Sequence, residues 1–239
     1  MKKILSSFIL FSTVSLAQGV FFSEYAEGSS NNRYIEIYNG TGSELDLSSY
    51  SLSSCNNGCS VENQFEYPDN VIFESGTILE PGDVYVVCHS SANDTILSEC
   101  DQINQGLSNG DDFFALTESG ATSDTYVIID KIGDFGEDPG SGWSVAGIES
   151  ATKDYTLRRK SSVNSGNLSW VSSAGDNADN SEWIVEEKPT ALYVSSDLGS
   201  HLSGILFTFE ISHDSPLTVQ FTLLNPIEGV SNVIWNFGD

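Results

Sequence analysis

From Arg33 to Leu52 the chain reads RYIEIYNGTGSELDLSSYSL, and apolar and polar side chains alternate along it. Ile35 and Ile37 fall on one face of an extended segment, with Tyr34, Glu36 and Tyr38 on the other. That period of two is what a half-buried strand shows. Leu45 and Leu47 repeat the pattern beyond Asn39-Gly40 and Gly42, residues that tolerate the positive φ of tight connections. The stretch therefore predicts two strands joined as a hairpin around Asn39-Gly40. Other short runs rich in Val, Ile, Tyr and Phe, punctuated by Gly, Ser, Asn and Asp, predict further strands. They fall at Val20 to Ala26, Tyr50 to Ser53, Val71 to Phe73, Asp83 to His89, Asp112 to Thr117, Tyr126 to Gly133, Tyr155 to Lys160 and Glu182 to Val185. One short helix fits Ala92 to Glu99. The pattern is that of an all-β sandwich of two sheets, and a segment of this size buries enough surface to sustain one core.

The ends of the chain differ from this body. Lys2 and Lys3 precede an apolar run from Ile4 to Leu16 that closes on Ser15-Leu16-Ala17. This is the layout of a secretory signal peptide over residues 1–17, with an N-terminal membrane anchor as the alternative. The run is short for a bilayer span and nothing later is longer or more apolar, so the mature chain is expected to be secreted, or at the cell surface, with no transmembrane segment. At Lys188-Pro189 the texture changes, which divides the rest into a body at 20–187 and a linker with a partial β segment at 188–239.

Several blocks of the body are distinctive in their order: VFFSEYAEGSSNNRYIEIYN from Val20, LDLSSYSL from Leu45, FESGTILEPGDVYVVCHSSA from Phe73, LSNGDDFFALTESGA from Leu107, VIIDKIGDFGEDPGSGW from Val127, YTLRRKSSV from Tyr155 and NSEWIV from Asn180. Together they resemble the lamin-tail domain, an immunoglobulin-like β-sandwich found in nuclear lamins and in many secreted bacterial proteins. The last part, from Pro216 to the WNFGD of Trp235–Asp239, resembles the opening half of a PKD domain, another small extracellular β-sandwich. The first resemblance implies association and not catalysis, since lamin-tail-like domains often accompany secreted nucleases, phosphoesterases and other hydrolases. A fold alone does not fix a function.

Charge narrows the partners. There are 34 Asp and Glu against 9 Lys and Arg, a formal net charge of −25, which becomes −27 once the two signal lysines are removed. Nucleic-acid affinity comes mainly from Lys and Arg displacing counterions, so direct nucleic-acid binding is disfavoured. The one basic cluster, Arg158-Arg159-Lys160, reads as charged outward residues of an edge strand, a usual guard against sheet aggregation. Expected partners are a protein or a cell-surface glycan.

Candidate chemistry is sparse. The four cysteines, Cys55, Cys59, Cys88 and Cys100, read as two disulfides in an exported chain. Three pairings exist; Cys55 with Cys59, turned by Asn56-Asn57-Gly58, and Cys88 with Cys100 are favoured over the others and over a zinc site. No nucleophile elbow, zinc-protease helix, phosphate loop or dinucleotide fingerprint occurs, and His89, His201 and His213 read as surface residues. No cofactor is expected unless it is calcium. Asp130, Asp134, Glu137 and Asp138 in DKIGDFGEDPGSGW are the best oxygen-ligand candidates, followed by Asp176 and Asp179 in GDNADNSEW, although neither loop fits the EF-hand pattern. Asp111 and Asp112 read as turn residues that cap amides of their own loop. Trp143, Trp170 and Trp183 read as packing residues, with a sugar-binding face as the rival. Sequons at Asn39, Asn93 and Asn167 are expected by chance in so Asn- and Ser-rich a chain. The reading is a secreted, non-catalytic binding, tethering or spacer module. Its alternatives are a calcium-dependent carbohydrate or cell-surface adhesin, and the accessory part of a secreted hydrolase.

Overall fold

A computed structural model describes residues 19–107, 109–136, 138–190 and 193–202, together with two strands at 207–212 and 218–223. Residues 1–18, where a signal peptide is expected, Ser108, Glu137, His213 and Trp235–Asp239 lie outside the described residues.

The chain runs through β1 (Val20–Glu27), β2 (Arg33–Asn39), β3 (Leu45–Asp46), β4 (Tyr50–Cys55), β5 (Tyr67–Ile72), β6 (Ile78–Leu79), β7 (Val84–Cys88), α1 (Asp94–Ser98), β8 (Gln102–Ile103), β9 (Phe113–Glu118), β10 (Ile128–Ile132), β11 (Tyr155–Arg159), α2 (Trp170–Ala174) and β12 (Trp183–Glu187). A large sheet has the order β12-β11-β1-β2-β7-β8, and a smaller one the order β10-β9-β4-β5. β13 (Phe207–Ser212) and β14 (Thr218–Leu223) form a separate antiparallel pair. The fold is the all-β sandwich that the alternating pattern predicts, with the immunoglobulin-like arrangement that the lamin-tail resemblance implies.

The core lies between the sheets. Val20, Phe22, Tyr25, Ile35, Ile37, Val87, Leu157 and Trp183 of the large sheet meet Leu52, Val71, Phe114, Leu116 and Ile132 of the small one. At roughly 1.5–3 kcal/mol for each fully buried large apolar side chain, this cluster is the dominant source of stability. β1 reaches the core from both halves because its register against β2 shifts between Phe22 and Glu24. The extra residue, Ser23, changes the parity of the strand: Val20 and Phe22 point inward before it, Tyr25 after it, and Glu24 turns outward. The Phe22 amide at the bulge donates to Asp130 Oδ2 at 2.9 Å.

The expected β2–β3 hairpin does not form. β2 pairs with β1 and β7, whereas the two-residue β3 pairs with β6, Leu45 opposite Leu79. The reason is Asn39, which is wholly buried. Its Nδ2 donates to Ser43 O and Leu79 O, each at 2.8 Å, and its Oδ1 accepts from the Thr41 amide and hydroxyl. The side chain pins a crossing from one sheet to the next; only Gly42, at φ 76°, takes the left-handed conformation expected here.

Arg158 and Arg159 also stand elsewhere than expected. β11 lies inside the large sheet between β1 and β12, so it is not an edge strand. Arg159 is fully buried, its Nη2 within 2.9 Å of both carboxylate oxygens of Asp130 on β10. Its Nη1 donates to Ser173 Oγ, and its guanidinium lies 4.2 Å from the Trp183 ring centroid. This ion pair ties the two sheets together.

Candidate functional site

Loops cluster at one end of the sandwich around the first disulfide. Cys55, the last residue of β4, bonds Cys59 at 2.06 Å across a turn that places Asn57 and Gly58 at positive φ. Glu66 organises this loop: its Oε2 accepts from the Asn56 amide at 3.0 Å, and its Oε1 from the amide and hydroxyl of Ser60. Those donors, the Ser60 hydroxyl foremost, hold the Glu66 carboxyl below its ordinary value. Asp112 Oδ1 accepts from the Asn57 amide, so it caps the neighbouring loop as well as its own. An open groove of about 680 Å³ runs beside the turn, lined by Asn56, Cys59, Glu62, Glu66 and Asp138 among others.

The expected calcium loop is not assembled among the described residues. Asp130 is fully buried, and its oxygens are taken by Arg159 and by the amides of Phe22 and Asn167. Burial pushes its carboxyl upward against the opposing pull of Arg159. Asp134 receives the Lys131 ammonium at 2.7 Å, and Asp138 caps the Gly140 amide. Glu137 lies outside the described residues. In the second loop Asp176 Oδ1 accepts from the side-chain amides of Asn177 and Asn180, while the Asp179 amide donates to Asn177 Oδ1. Among the described residues no group of three or more His, Cys, Asp and Glu side chains is arranged to hold a metal ion.

The aromatic residues divide by burial. Trp170 and Trp183 sit in the core, and Trp143, half-buried, meets Trp170 edge to face at 6.5 Å. A groove of about 500 Å³ lies over this indole pair, with Val171, Asp176 and Asn180 on its rim. Each sequon asparagine is structural: Asn39 Nδ2 as above, Asn93 Nδ2 donating to Thr190 O, and Asn167 Nδ2 to Glu182 Oε1. Neither described histidine is a free surface residue. His89 Nδ1 accepts from the Ser91 amide, and His201 is packed against Phe21 and Tyr38 at ring distances of 5.7 and 4.7 Å.

His201 belongs to a feature with no forewarning in the strand pattern. Beyond β12 the chain folds back and lies as a strap, residues 193–202, over the outer face of the large sheet. Its approach is fixed by Pro189 O, which accepts from the Ser29 amide, and by Thr190 O, which accepts from Asn93 Nδ2. Val194 and Leu198 pack on Ala26, Tyr34, Val86, Ala92, Ile96 and the second disulfide, Cys88–Cys100 at 1.95 Å. That disulfide brackets α1, whose N-cap is Asn93, so the cap residue also holds the strap. Under the strap Glu24 and Glu36 stand opposite one another in the β1–β2 register. Glu24 Oε2 accepts from the Tyr34 hydroxyl at 2.8 Å and its Oε1 lies 2.8 Å from Ser195 Oγ, while Glu36 accepts from Ser23 Oγ at 2.6 Å and the Gly199 amide at 2.8 Å. The only legible trace of this site is the polar set Tyr34, Glu36 and Tyr38 on one strand face; nothing marked residues 193–202 as its cover.

Among the described residues no helix is long and apolar enough to cross a membrane. No curated protein and no solved structure matches the chain. The family model described as Lamin Tail Domain matches residues 13–130, from the N-terminal segment into β10.

Proposed function

We propose that this chain is a secreted, non-catalytic module that binds a protein or cell-surface glycan and sets the spacing between its sandwich and whatever follows on the same polypeptide. The observation that carries the reading is the strap. The chain leaving β12 is not slack but packs back along the large sheet as far as His201. A connection held in this way transmits orientation, which is what a spacer or tether requires. The Lamin Tail Domain match supports a module or binding role. Candidate contact surfaces are the connections at the sandwich ends, since rigid sheets display function on their loops. Here those are the acidic groove beside Cys55–Cys59 and the groove over Trp143 and Trp170.

A calcium-dependent adhesin fits less well, because Asp130, Asp134 and Asp138 each serve a separate local contact. The test is to apply the full labelled chain to a glycan array and to immobilised cell-surface proteins, and in parallel to fluorogenic glycoside, ester and phosphodiester substrates. Saturable retention without turnover is expected. Turnover that copurifies with the chain would overturn the proposal.

A further inference from the structure

Beneath the strap four carboxyl groups surround one guanidinium. Glu24 comes from β1, Glu36 from β2, Glu186 from β12 and Asp197 from the strap itself. Arg158 of β11 lies 2.8 Å from Glu186 and 3.4 Å from Asp197, and its charge also acts on Glu24. Glu24 and Glu36 have hydroxyl and amide donors but no cation of their own in these contacts. Four carboxyl groups outnumber the single Arg158 charge beside them, and two of them, Glu24 and Glu36, face each other while buried; such pairs respond by keeping a proton.

Ser195 shows where that proton sits. Its Oγ lies 2.8 Å from Glu24 Oε1 and 2.8 Å from Asp197 Oδ1, with Glu186 Oε2 farther off at 3.4 Å. A hydroxyl has a single hydrogen to donate. Both contacts are hydrogen bonds only if one of the two carboxyls brings the other hydrogen. The arrangement in which protonated Glu24 donates to Ser195, and Ser195 donates to Asp197, satisfies all three groups.

We propose that residues 193–202 form a proton-dependent latch: the strap is closed over the large sheet while the Glu24–Glu36 pair holds a proton, and it lifts as the pair ionises in alkaline solution. Burial, followed by the charge of Glu36 and Asp197, drives the Glu24 carboxyl well above its ordinary range. Burial likewise drives Glu36 to about 8, with Asp197 and Asp101 adding to the rise. The other groups that face the pair are Tyr34 from β2, Arg158 from β11, Glu186 from β12, and Tyr193 and Asp197 from the strap. Glu99 stands against Gly199 from the end of α1. The strap also has a limit on the acid side. His201 Nε2 is buried without a hydrogen-bond partner, so a proton placed there has no acceptor. Burial lowers its imidazole to about 4.

The signs follow from linkage. Glu36 contributes stability that is complete below its unfolded value of 4.5 and is lost as pH rises through about 8. His201 contributes stability that is complete above 6.5 and is lost as pH falls through about 4. The carboxyl and imidazole slopes oppose each other between 4.5 and 6.5, so closure changes less there than at higher pH. From 6.5 to about 8 only the carboxyl slope remains, and the latch weakens.

The experiment is hydrogen exchange on the full chain, reading the Gly199 amide that donates to Glu36, with intrinsic exchange rates divided out. In the wild type its protection is expected to fall by up to about tenfold per pH unit between 6.5 and 8. In E24Q/E36Q, where an amide nitrogen replaces the proton donor, protection is expected to change little over the same window. A double variant that retains the wild-type pH dependence overturns the latch. If that variant does not fold, carboxyl-carbon NMR titration of the wild type decides the question. A carboxyl that titrates far above the usual glutamate range, in step with Gly199 protection, supports the proposal, and two ordinary glutamate titrations overturn it.

Discussion

The two faces of the large sheet are equally sealed from water but are made of different chemistry. The inner face is a packed layer of Phe22, Ile35, Ile37, Leu157 and Trp183. The outer face carries Glu24, Tyr34, Glu36 and Tyr38, every one at 5% exposure or less. The inner layer is buried because apolar surface from two sheets has nowhere better to go. The outer layer is buried because a later piece of chain was laid across it, held by a few hydrogen bonds, two aliphatic contacts and a proton. Hydrophobicity accounts for the first kind of burial, and connectivity with a smaller apolar contact for the second. The second kind should be the easier to undo.

The largest effect is expected on the inner side. Asp130→Ala removes the bidentate partner of the buried Arg159 guanidinium, leaving Glu182 at 3.6 Å as its remaining carboxylate, and should cost about 3 kcal/mol in urea unfolding. Asp130→Leu combined with Arg159→Met, which removes both charges, should cost much less. Equal costs for the single and double changes would mean that the pair does not couple the sheets.

The disulfides come next, because one serves each region. Removing Cys88–Cys100, which spans 12 residues of sequence and the α1 platform under the strap, should cost about 3 kcal/mol. Removing Cys55–Cys59, with a separation of 4, should cost about 2 kcal/mol. The sharper distinction is in proteolysis. Loss of the former should expose residues 193–202 to cleavage, and loss of the latter should not.

Leu198→Ala should cost about 1–2 kcal/mol, since this side chain is only partly buried against the outer cluster. The loss should appear as faster exchange in the strap with little change in the protection of β1 and β2. If core strands lose protection to the same degree, the two faces unfold as one unit and the contrast drawn above fails. The smallest effect is expected at Asn93→Ala, about 1 kcal/mol for the lost α1 cap, with added strap exchange from the lost Thr190 contact.

The sequence made the inner face legible and left the outer one dark, for a physical reason. Strand period, cysteine spacing and glycine-rich turns are local signals, and they mark β1, β2, β7, β9 and β11 and both disulfide pairs within a residue or two. Alternation in β2 assigns Tyr34, Glu36 and Tyr38 to solvent, because a period of two says which side chains share a face and nothing about what will cover it. Asn39-Gly40 carries the dipeptide of a hairpin turn, yet the Asn39 amide is spent on Ser43 O and Leu79 O, the latter 40 residues away. Arg158 and Arg159 read as edge charges because the partner of Arg159, Asp130, lies 29 residues away on the other sheet. Asp130 itself reads as a metal ligand because an acidic, Gly-rich neighbourhood looks the same whether its carboxylates face a cation or an arginine. Each miss is a long-range partner that no window of neighbouring residues contains.

The strap also decides how force enters the molecule. Residues 188–202 lie in series between β12 and the strand pair beginning at Phe207, so any pull from that direction reaches them before it reaches the sheets. Tension would first lift His201 from Phe21 and Tyr38, then the Gly199 amide from Glu36 and Leu198 from its seat, and open the carboxyl pair to water. The sandwich would still be whole, with slack chain already paid out ahead of it.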